Sequence, residues 1–245
     1  MIKKQSLTIL IPTYNESMHV KNTIKELSRF YNKEKGKRNI TILFILDGCS
    51  DNTETLLLHE SKQNQLPIEI IKREKNFGKG YTVKQGIMHV KTELVLVSDF
   101  DLSTPIEEFY KLEKYICHYD IVIGSRWIKT DEVKNKPDRK VLSYLSIIII
   151  NLFLNLGVRD SQCGFKLFKT KTAKKIFEKI TINRFGYDFE LLKIAKINNI
   201  NYFEVPVIWN YKPGSKVNYK SYIKTFRELL SVWYNATFKK EIYKI

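Results

Sequence analysis

Short apolar runs alternate with amphipathic stretches along the first half of the chain. The amphipathic stretches carry apolar residues at helical spacing, as at Val20, Ile24 and Leu27. The predicted strands cover residues 7–11, 40–46, 68–72, 94–98 and 121–123, and the predicted helices cover residues 17–30, 55–61 and 81–89. Continuous apolar runs are typical of strands that are buried on both faces of a parallel sheet. The pattern therefore predicts an α/β fold with an open, doubly wound, mostly parallel sheet and helices on both faces.

The pattern changes after Pro137, where residues 141–158 are almost entirely apolar with a few Ser and Asn residues among them. A helix that crosses a bilayer needs about 20 apolar residues, and polar residues interrupt this stretch. We interpret it as a helix that lies in a membrane interface or lines an acceptor groove, in preference to a re-entrant or spanning segment.

A second apolar stripe lies near the carboxyl terminus, and Lys220, Lys224 and Arg227 are interspersed in it. Such a basic amphipathic helix is typical of a membrane surface, and the alternative is a terminal helix packed on the core. The stripe consists of Tyr219, Tyr222, Ile223, Phe226, Leu230 and Trp233.

The composition is that of a folded protein with a large positive charge. Its 42 Lys and Arg residues against 26 Asp and Glu residues give a net charge of +16, and 43% of the residues are hydrophobic. This excludes a disordered tail and a multi-span membrane protein, and it favours polyanionic partners: nucleic acid, an acidic membrane surface or phosphorylated substrates. Codon bias in an AT-rich genome is an alternative source of the lysine excess.

The cysteines and the first residues indicate a cytoplasmic location. Cys49, Cys117 and Cys163 are too few and too dispersed for a disulfide framework or a Cys-based zinc site, which fits a reducing compartment. Residues 1–5 are charged and lead directly into a predicted strand, so we expect no signal peptide.

Two carboxylates one residue apart follow the fourth predicted strand. Along an extended chain, Asp99 and Asp101 point the same way, so both can reach one hard cation such as Mg²⁺ or Mn²⁺. A surface turn is the alternative for such a short motif. The position at the carboxyl edge of a parallel sheet favours a ligand site.

The loops after the first two strands suit a nucleoside. Tyr14 could stack on a base, and Asp47 could accept a hydrogen bond from that base. The alternative for Tyr14 is an aromatic side chain packed in its loop, and the alternative for Asp47 and Gly48 is a plain turn. Lys79, between two glycines, could meet a phosphate. The chain has neither a Walker motif nor a Gly-x-Gly-x-x-Gly dinucleotide fingerprint, which disfavours an ATPase or a dehydrogenase.

In this order the motifs resemble the inverting family 2 glycosyltransferases of GT-A fold, in particular the polyprenyl-phosphate hexosyltransferases and their dolichyl-phosphate β-glucosyltransferase branch. The resemblance covers roughly residues 6–220. The strings that carry it are IPTYNE (11–16), DGCSDNT (47–53), NFGKG (76–80), DFDLSTP (99–105), GSR (124–126), DSQCGFK (160–166), FGYDFE (185–190), VPVIW (205–209) and GSKV (214–217).

The resemblance implies a role for several residues. Arg126, Arg139 and Ser143 would bind the phosphate of a lipid acceptor, and Asp99 and Asp101 would hold the divalent metal. The catalytic set would be Asp101, Arg126, Arg139 and Asp160, and the residues that bind the donor would be Pro12, Tyr14, Glu16, Asp47, Lys79, Asp99 and Lys216.

An acceptor phosphate is already ionised near neutral pH, so the implied reaction does not strictly need a general base. Arginines that hold phosphate oxygens bidentately are then more useful. If the acceptor is a hydroxyl instead, Asp160, Asp188 and Glu190 are candidate bases; for Asp188 and Glu190 we favour local hydrogen bonding that shapes the acceptor loop.

Two positions depart from the family pattern. The family usually has a pair of aspartates where this chain has Leu46 and Asp47, which leaves one acceptor carboxylate for the base. Ser103 stands where mannosyl enzymes often have a glutamine, so a third protein contact to the metal is in question.

We therefore expect a hexosyltransferase that transfers glucose from UDP-glucose, with inversion, to a polyprenyl phosphate at the cytosolic face of a membrane. Residues 1–216 would form the GT-A domain, with a nucleotide-sugar half (1–135) and an acceptor half (136–216), and residues 217–245 would face the membrane. The alternatives are transfer from GDP-mannose, an inactive scaffold, and a basic nucleic-acid-binding module. We expect no nucleic-acid partner, because no recognisable binding motif is present.

Overall fold

The computed structural model describes the backbone of residues 4–128, 137–212 and 219–245 and, apart from residues 137–145 and 219–220, their side chains. The strands are β1 (Leu7–Thr13), β2 (Ile40–Asp47), β3 (Glu69–Arg73), β4 (Leu94–Val97), β5 (Ile121–Ser125), β6 (Lys166–Lys169) and β7 (Tyr202–Pro206). The helices are α1 (Val20–Glu34), α2 (Thr53–Gln63), α3 (Lys79–His89), α4 (Phe109–Glu113), α5 (Pro137–Leu154), α6 (Thr170–Lys179), α7 (Tyr187–Ile197) and α8 (Tyr219–Phe238).

The described strands form one sheet in the order β3-β2-β1-β4-β6-β5-β7. Every neighbouring pair is parallel except the two pairs that involve β6, which runs antiparallel between β4 and β5. This confirms the predicted doubly wound, mostly parallel α/β architecture. Because β6 runs in the opposite direction, it begins at the edge where the parallel strands end, and so Lys166 and the loop before it lie at that edge.

Each apolar strand supplies two cores, one on either face of the sheet. In β2, for example, Leu43 and Ile45 face the core under α3, α6 and α7, whereas Ile42 and Phe44 face the core under α1, α2 and α4. This explains the continuous apolar runs in the sequence, since both sides of each strand are covered.

Helix α5 covers most of the predicted apolar stretch but ends earlier than predicted, at Leu154 instead of residue 158. Asn155 and Gly157 have φ angles of 48° and 73°, and the Asn155 N–H bonds to the Asn151 carbonyl. A left-handed residue directly after the last turn is a common way for a helix to end.

Helix α8 packs on the core and also presents an apolar stripe to solvent. Leu229 and Val232 are buried beside α5 and α7. The opposite side exposes Tyr222, Ile223, Phe226, Leu230, Tyr234 and Phe238, which we call the α8 stripe. Packing on the core is therefore confirmed, and a membrane-facing role stays a prediction. Among the described residues, no helix combines the length and apolar character of a membrane span.

Candidate active site

A cleft of about 830 Å³ lies at the carboxyl edge of the sheet, and α5 and α8 contribute to its walls. The side chains of Arg139 and Ser143, and the whole of Lys216, lie outside the described residues. The cleft brings together all the other predicted site residues: Pro12, Tyr14, Glu16, Asp47, Lys79, Asp99, Asp101, Arg126 and Asp160.

Asp99 is paired with a lysine from a different element. The Lys79 Nζ, at the start of α3, lies 2.5 Å from the Asp99 Oδ1. Burial disfavours the charged form of each group, but their mutual attraction outweighs it: the pKa of Asp99 is lowered and the pKa of Lys79 is raised. Both groups therefore stay ionised at neutral pH.

A glycine holds the Asp99 carboxyl group in place from the other side. A Cβ atom built on Gly164 would lie 2.3 Å from the Asp99 Oδ2, so the carboxyl group rests directly against this glycine. Gly164 lies in the loop before β6. Because β6 runs antiparallel to β4, this loop lies at the carboxyl edge of the sheet, where Gly164 meets Asp99.

Asp101 also has an internal partner. Its Oδ1 accepts the Ser103 N–H at 2.9 Å, and its Oδ2 accepts the Ser103 hydroxyl at 2.8 Å. Ser103 thus orients Asp101 through two hydrogen bonds.

These carboxylates fit a divalent cation that arrives with its substrate. Within the described part of the chain, no group of three or more His, Cys, Asp or Glu side chains is placed to hold a metal. Mg²⁺ and Mn²⁺ are, however, often held by one or two carboxylates together with substrate phosphates. The pair Asp99 and Asp101 matches that donor set.

Asp47, at the end of β2, organises the loop that leads into α3. Its two carboxylate oxygens accept the backbone N–H groups of Phe77 and Gly78 at 3.0 and 2.9 Å. The same carboxylate forms an ion pair of 3.2 Å with Arg73. Asp47 lines the cleft, but three of the roughly four acceptor sites of its carboxylate are already in use.

Arg73 is a partly buried residue that the sequence interpretation missed; it pairs with Asp47 from behind the cleft wall and is not one of the residues that line the cleft. Its guanidinium lies over the rings of Phe77 and Tyr81, 5.3 and 4.7 Å from their centroids. Its buried Nε and Nη1 have no acceptor among the described residues. As the last residue of β3, Arg73 lies at the same edge as Asp47, and that position was the available signal.

Tyr14 lies in a loop that is tied to the loop after β2. The Glu16 N–H donates to the Thr53 hydroxyl at 2.8 Å, and the Ser17 N–H donates to Asp51 at 3.1 Å. Burial works against the Asp51 charge, but hydrogen bonds from Thr53 and Ser17 lower the pKa of Asp51. These bonds hold Tyr14 and Glu16 in the same cleft wall as Asp47.

Arg126, just after β5, forms a two-pronged ion pair with buried Asp160. Its Nε and Nη2 lie 2.7 and 2.8 Å from the two Asp160 oxygens, and its backbone N–H donates to the same carboxylate. Burial alone would lower the pKa of the Arg126 guanidinium, but the ion pair with Asp160 raises it by more, so Arg126 stays charged. Asp160 therefore positions Arg126, whose Nη1 has no acceptor among the described residues.

Asp188 and Glu190, the two alternative bases, both have structural partners. Asp188 lines the cleft and pairs with the buried Lys166, which was not predicted as a site residue. Glu190 accepts hydrogen bonds from Thr181 and from the Tyr243 hydroxyl. Burial raises the pKa of Glu190. The contacts of Glu190 agree with the local hydrogen-bonding role that we favoured.

Glu228, on α8, is a further cleft residue that the sequence interpretation missed. It accepts the Gly186 N–H at 2.8 Å, at the residue that precedes α7. Burial raises the pKa of Glu228. Through this bond α8 is attached to the wall of the cleft.

The cleft changes character along its length. Asp47, Asp99 and Asp101 lie at the sheet edge, whereas the walls at α5 and α8 combine polar residues such as Lys224 and Glu228 with apolar ones: Ile147, Ile150, Tyr222 and Phe226. Tyr222 and Phe226 also belong to the exposed α8 stripe, so the apolar part of this wall continues onto the surface.

Comparison with known proteins gives a consistent result. The family model described as glycosyl transferase family 2 matches residues 8–177. The dolichyl-phosphate β-glucosyltransferase ALG5A of Trichomonas vaginalis is 34% identical over 92% of this chain and 72% of its own length. The dolichyl-phosphate β-glucosyltransferase of Dictyostelium discoideum is 32% identical over 93% of this chain and 76% of its own length.

A solved structure shares the fold at low sequence identity. Glucosyl-3-phosphoglycerate synthase of Mycobacterium tuberculosis, solved in complex with Mn²⁺, UDP-glucose and phosphoglyceric acid, superposes with a TM-score of 0.65 and 13% identity. The match covers 94% of this chain and 80% of that chain.

Proposed function

Because the chain belongs to glycosyl transferase family 2 and is a glycosyltransferase of GT-A fold, we propose that it transfers glucose from UDP-glucose to a polyprenyl phosphate. Dolichyl phosphate, which the names of its relatives contain, is the expected acceptor. One observation carries the proposal: a single cleft joins a carboxylate pair at the sheet edge to an arginine and to a wall with apolar residues of α5 and α8.

The nucleoside end of the cleft favours uracil over guanine. Uracil presents one N–H beside carbonyl oxygens, which suits the single acceptor site that remains on Asp47 once Phe77, Gly78 and Arg73 have bonded to it. Guanine presents two adjacent N–H groups and would need both oxygens of a carboxylate. Backbone N–H groups already occupy both oxygens of Asp47, and a carboxylate has about four acceptor sites in all.

Asp99 and Asp101 would hold a Mg²⁺ or Mn²⁺ ion together with the donor diphosphate. The bound ion would neutralise the negative charge that builds up on the leaving nucleoside diphosphate. The Lys79 ammonium, beside Asp99, provides a second positive charge at the same place.

At the other flank, Arg126 would orient the acceptor phosphate. Asp160 fixes two nitrogens of the guanidinium and leaves Nη1 for a phosphate oxygen. That oxygen attacks the anomeric carbon from the face opposite the diphosphate; the new carbon–oxygen bond forms as the bond to the β-phosphate breaks, which inverts the configuration. Arg139 and Ser143 remain the predicted additional partners of this phosphate.

The proposal includes binding to the cytosolic face of a membrane, where anionic lipids attract basic segments. A polyprenyl chain must pass from the cleft into a lipid phase. The α8 stripe offers such a route, since Tyr222 and Phe226 belong both to the cleft wall and to the exposed surface. Lys224 and Arg227 on the same helix supply positive charge.

Transfer assays with defined substrates test the activity. The purified 245-residue chain would receive labelled UDP-glucose or GDP-mannose, a short polyprenyl phosphate and Mn²⁺. We expect lipid-linked glucose from UDP-glucose, inhibition by UDP but much less by GDP, and no turnover by a folded Asp101→Ala variant. If only GDP-mannose gives a lipid-linked product, the donor is GDP-mannose and not UDP-glucose. If neither donor gives a lipid-linked product, the proposal is refuted.

A further inference from the structure

Both carboxylates of the predicted metal pair have an internal partner. The Asp99 Oδ1 is paired with the Lys79 ammonium, and both oxygens of Asp101 accept hydrogen bonds from Ser103. The two sets of contacts differ in kind. The Ser103 contacts are local and neutral and orient Asp101, whereas the Lys79 contact places a full positive charge beside Asp99.

We propose that Lys79 is a place-holding cation, paired with Asp99 until the donor binds and then transferred to the donor diphosphate as a divalent ion reaches Asp99 and Asp101. The inference rests on the proposed function, in which diphosphate and metal share this end of the cleft. It assigns to Lys79 a positioning role that makes metal binding depend on the nucleotide.

Electrostatics gives the reason for this dependence. A divalent ion that reaches Asp99 repels the ammonium beside it, which favours movement of the ammonium away from this carboxylate. Without a nucleotide, the displaced ammonium loses its nearest anion. With a diphosphate in the cleft, it gains a new one. Metal and nucleotide should therefore strengthen each other's binding by the same factor.

The packing indicates which of the two partners moves. The Asp99 carboxyl group rests against Gly164 and has no space to retreat on that side. The side chains of Lys79 and Asp99 are 21% and 43% exposed, so exposure does not single out Lys79; its long, flexible aliphatic stem does, because the ammonium can move without the backbone. Rotation of the Lys79 side chain is thus the smaller rearrangement.

Mn²⁺ titration by electron paramagnetic resonance measures the dependence without turnover. We expect UDP to tighten Mn²⁺ binding to the wild type by roughly 5- to 150-fold, the usual range of coupling between sites. In Lys79→Gln, Mn²⁺ alone should bind more tightly than to the wild type, and the factor contributed by UDP should fall to the smaller value that direct ligation by the diphosphate supplies. Lys79→Arg keeps the charge and should keep most of the dependence.

Lys84→Gln is the matched control, because Lys84 lies on the same helix but donates to the Ile180 carbonyl. It should give wild-type values. Lys79→Met provides the same test if the glutamine variant folds poorly.

The failures of the two proposals are distinguishable. If Lys79→Gln binds Mn²⁺ alone no more tightly than the wild type and retains the full effect of UDP, the place-holding role is refuted and the proposed function stands. If the wild type binds no Mn²⁺ even with UDP, both this inference and the metal part of the proposed function are refuted.

Discussion

At the scale of single residues, one glycine determines where the Asp99 carboxylate of the proposed metal pair can lie. The Cβ atom of Gly164→Ala would lie 2.3 Å from the Asp99 Oδ2, so the carboxyl group must move. The Asp99 carboxyl group is the end of a side chain and can rotate away from the new methyl group, so we expect the free energy of unfolding to fall by only about 1 kcal/mol. A displacement of this carboxyl group by about 1 Å can lower the rate roughly 100-fold, and kcat/KM for UDP-glucose would measure that loss.

Gly36→Ala is the control for this prediction. No atom lies within 4 Å of the Cβ position at Gly36, so this variant should match the wild type in both urea midpoint and kcat/KM. Wild-type activity of Gly164→Ala would show that Asp99 does not need its present position.

The ion pair between Arg126 and Asp160 leads to a prediction about the acceptor. Arg126→Lys keeps the charge but loses the planar fork that Asp160 holds. A hydrogen bond to a charged group contributes about 2 kcal/mol, which corresponds to roughly 30-fold in acceptor KM. The KM for UDP-glucose should change little, and initial rates at varied concentrations of each substrate separate the two. An equal effect on both substrates would contradict an acceptor role for Arg126.

A buried charge cluster away from the cleft predicts how stability depends on pH. Glu34 is buried; burial raises its pKa, but hydrogen bonds from Lys37 and Tyr110 and the charges of Lys4 and Arg38 lower it overall. For an acid whose pKa is lower in the folded state, the stabilisation is present above the unfolded pKa and is lost as the pH falls through the folded value.

The free energy of unfolding should therefore fall below about pH 4.5, the region of the unfolded glutamate pKa. Glu34→Gln should be less stable at pH 7 and should lose less stability on acidification, as urea unfolding between pH 7 and pH 3 would measure. Parallel pH curves for the two proteins would rule out this contribution of Glu34.

Residues that depend on distant partners are also those the sequence did not reveal. Asp47 and Asp99 could be predicted because each directly follows a predicted strand, and Asp101 because it lies two residues further on, so position along the chain is enough to place them at one edge. Arg73 also ends a strand, but its contact with Asp47 is not recorded in the pattern, and Lys166 could not be predicted since a basic residue is usually exposed. Lys166 is buried because Asp188, far along the chain, neutralises it.

At the scale of elements, periodicity was sufficient for the strands and helices of the first half but not for the reversed strand. β6 has only four residues, two of them lysines, so it carries no apolar run. Its place between β4 and β5 follows from long-range pairing. The early end of α5 depends in the same way on local backbone angles at Asn155 and Gly157 that an apolar pattern does not record.

The contact between α8 and the cleft wall provides a prediction at this scale. Glu228→Leu removes the acceptor of the Gly186 N–H, which should cost about 1–3 kcal/mol. Glu228→Gln keeps an oxygen acceptor and should retain most of the stability. Hydrogen exchange of the α8 amides measures the effect: faster exchange is expected in the leucine variant only. Equal protection in both variants would mean that apolar packing alone holds α8.

At the scale of the whole molecule, the cleft, the α8 stripe and the positive charge together predict binding to anionic membranes. The net charge of +16 attracts such a surface from a distance, and each basic residue near it contributes about 1 kcal/mol. The stripe then inserts apolar side chains next to the mouth of the cleft. Charge and insertion respond differently to salt, because only the electrostatic part is screened.

Vesicle cosedimentation separates these contributions. The wild type should bind vesicles that contain anionic lipid and should bind them less at high salt. Phe226 and Phe238 are 45% and 65% exposed, so together they offer about one whole aromatic surface to the membrane. Burying one such surface contributes about 1.5–3 kcal/mol, so replacing both with Ser should weaken binding roughly 10- to 100-fold. Leu58→Ser, at a position 53% exposed on α2, should leave binding unchanged. If Leu58→Ser weakens binding as much as the double variant does, adsorption is non-specific, and the lipid chain must leave the cleft by another route.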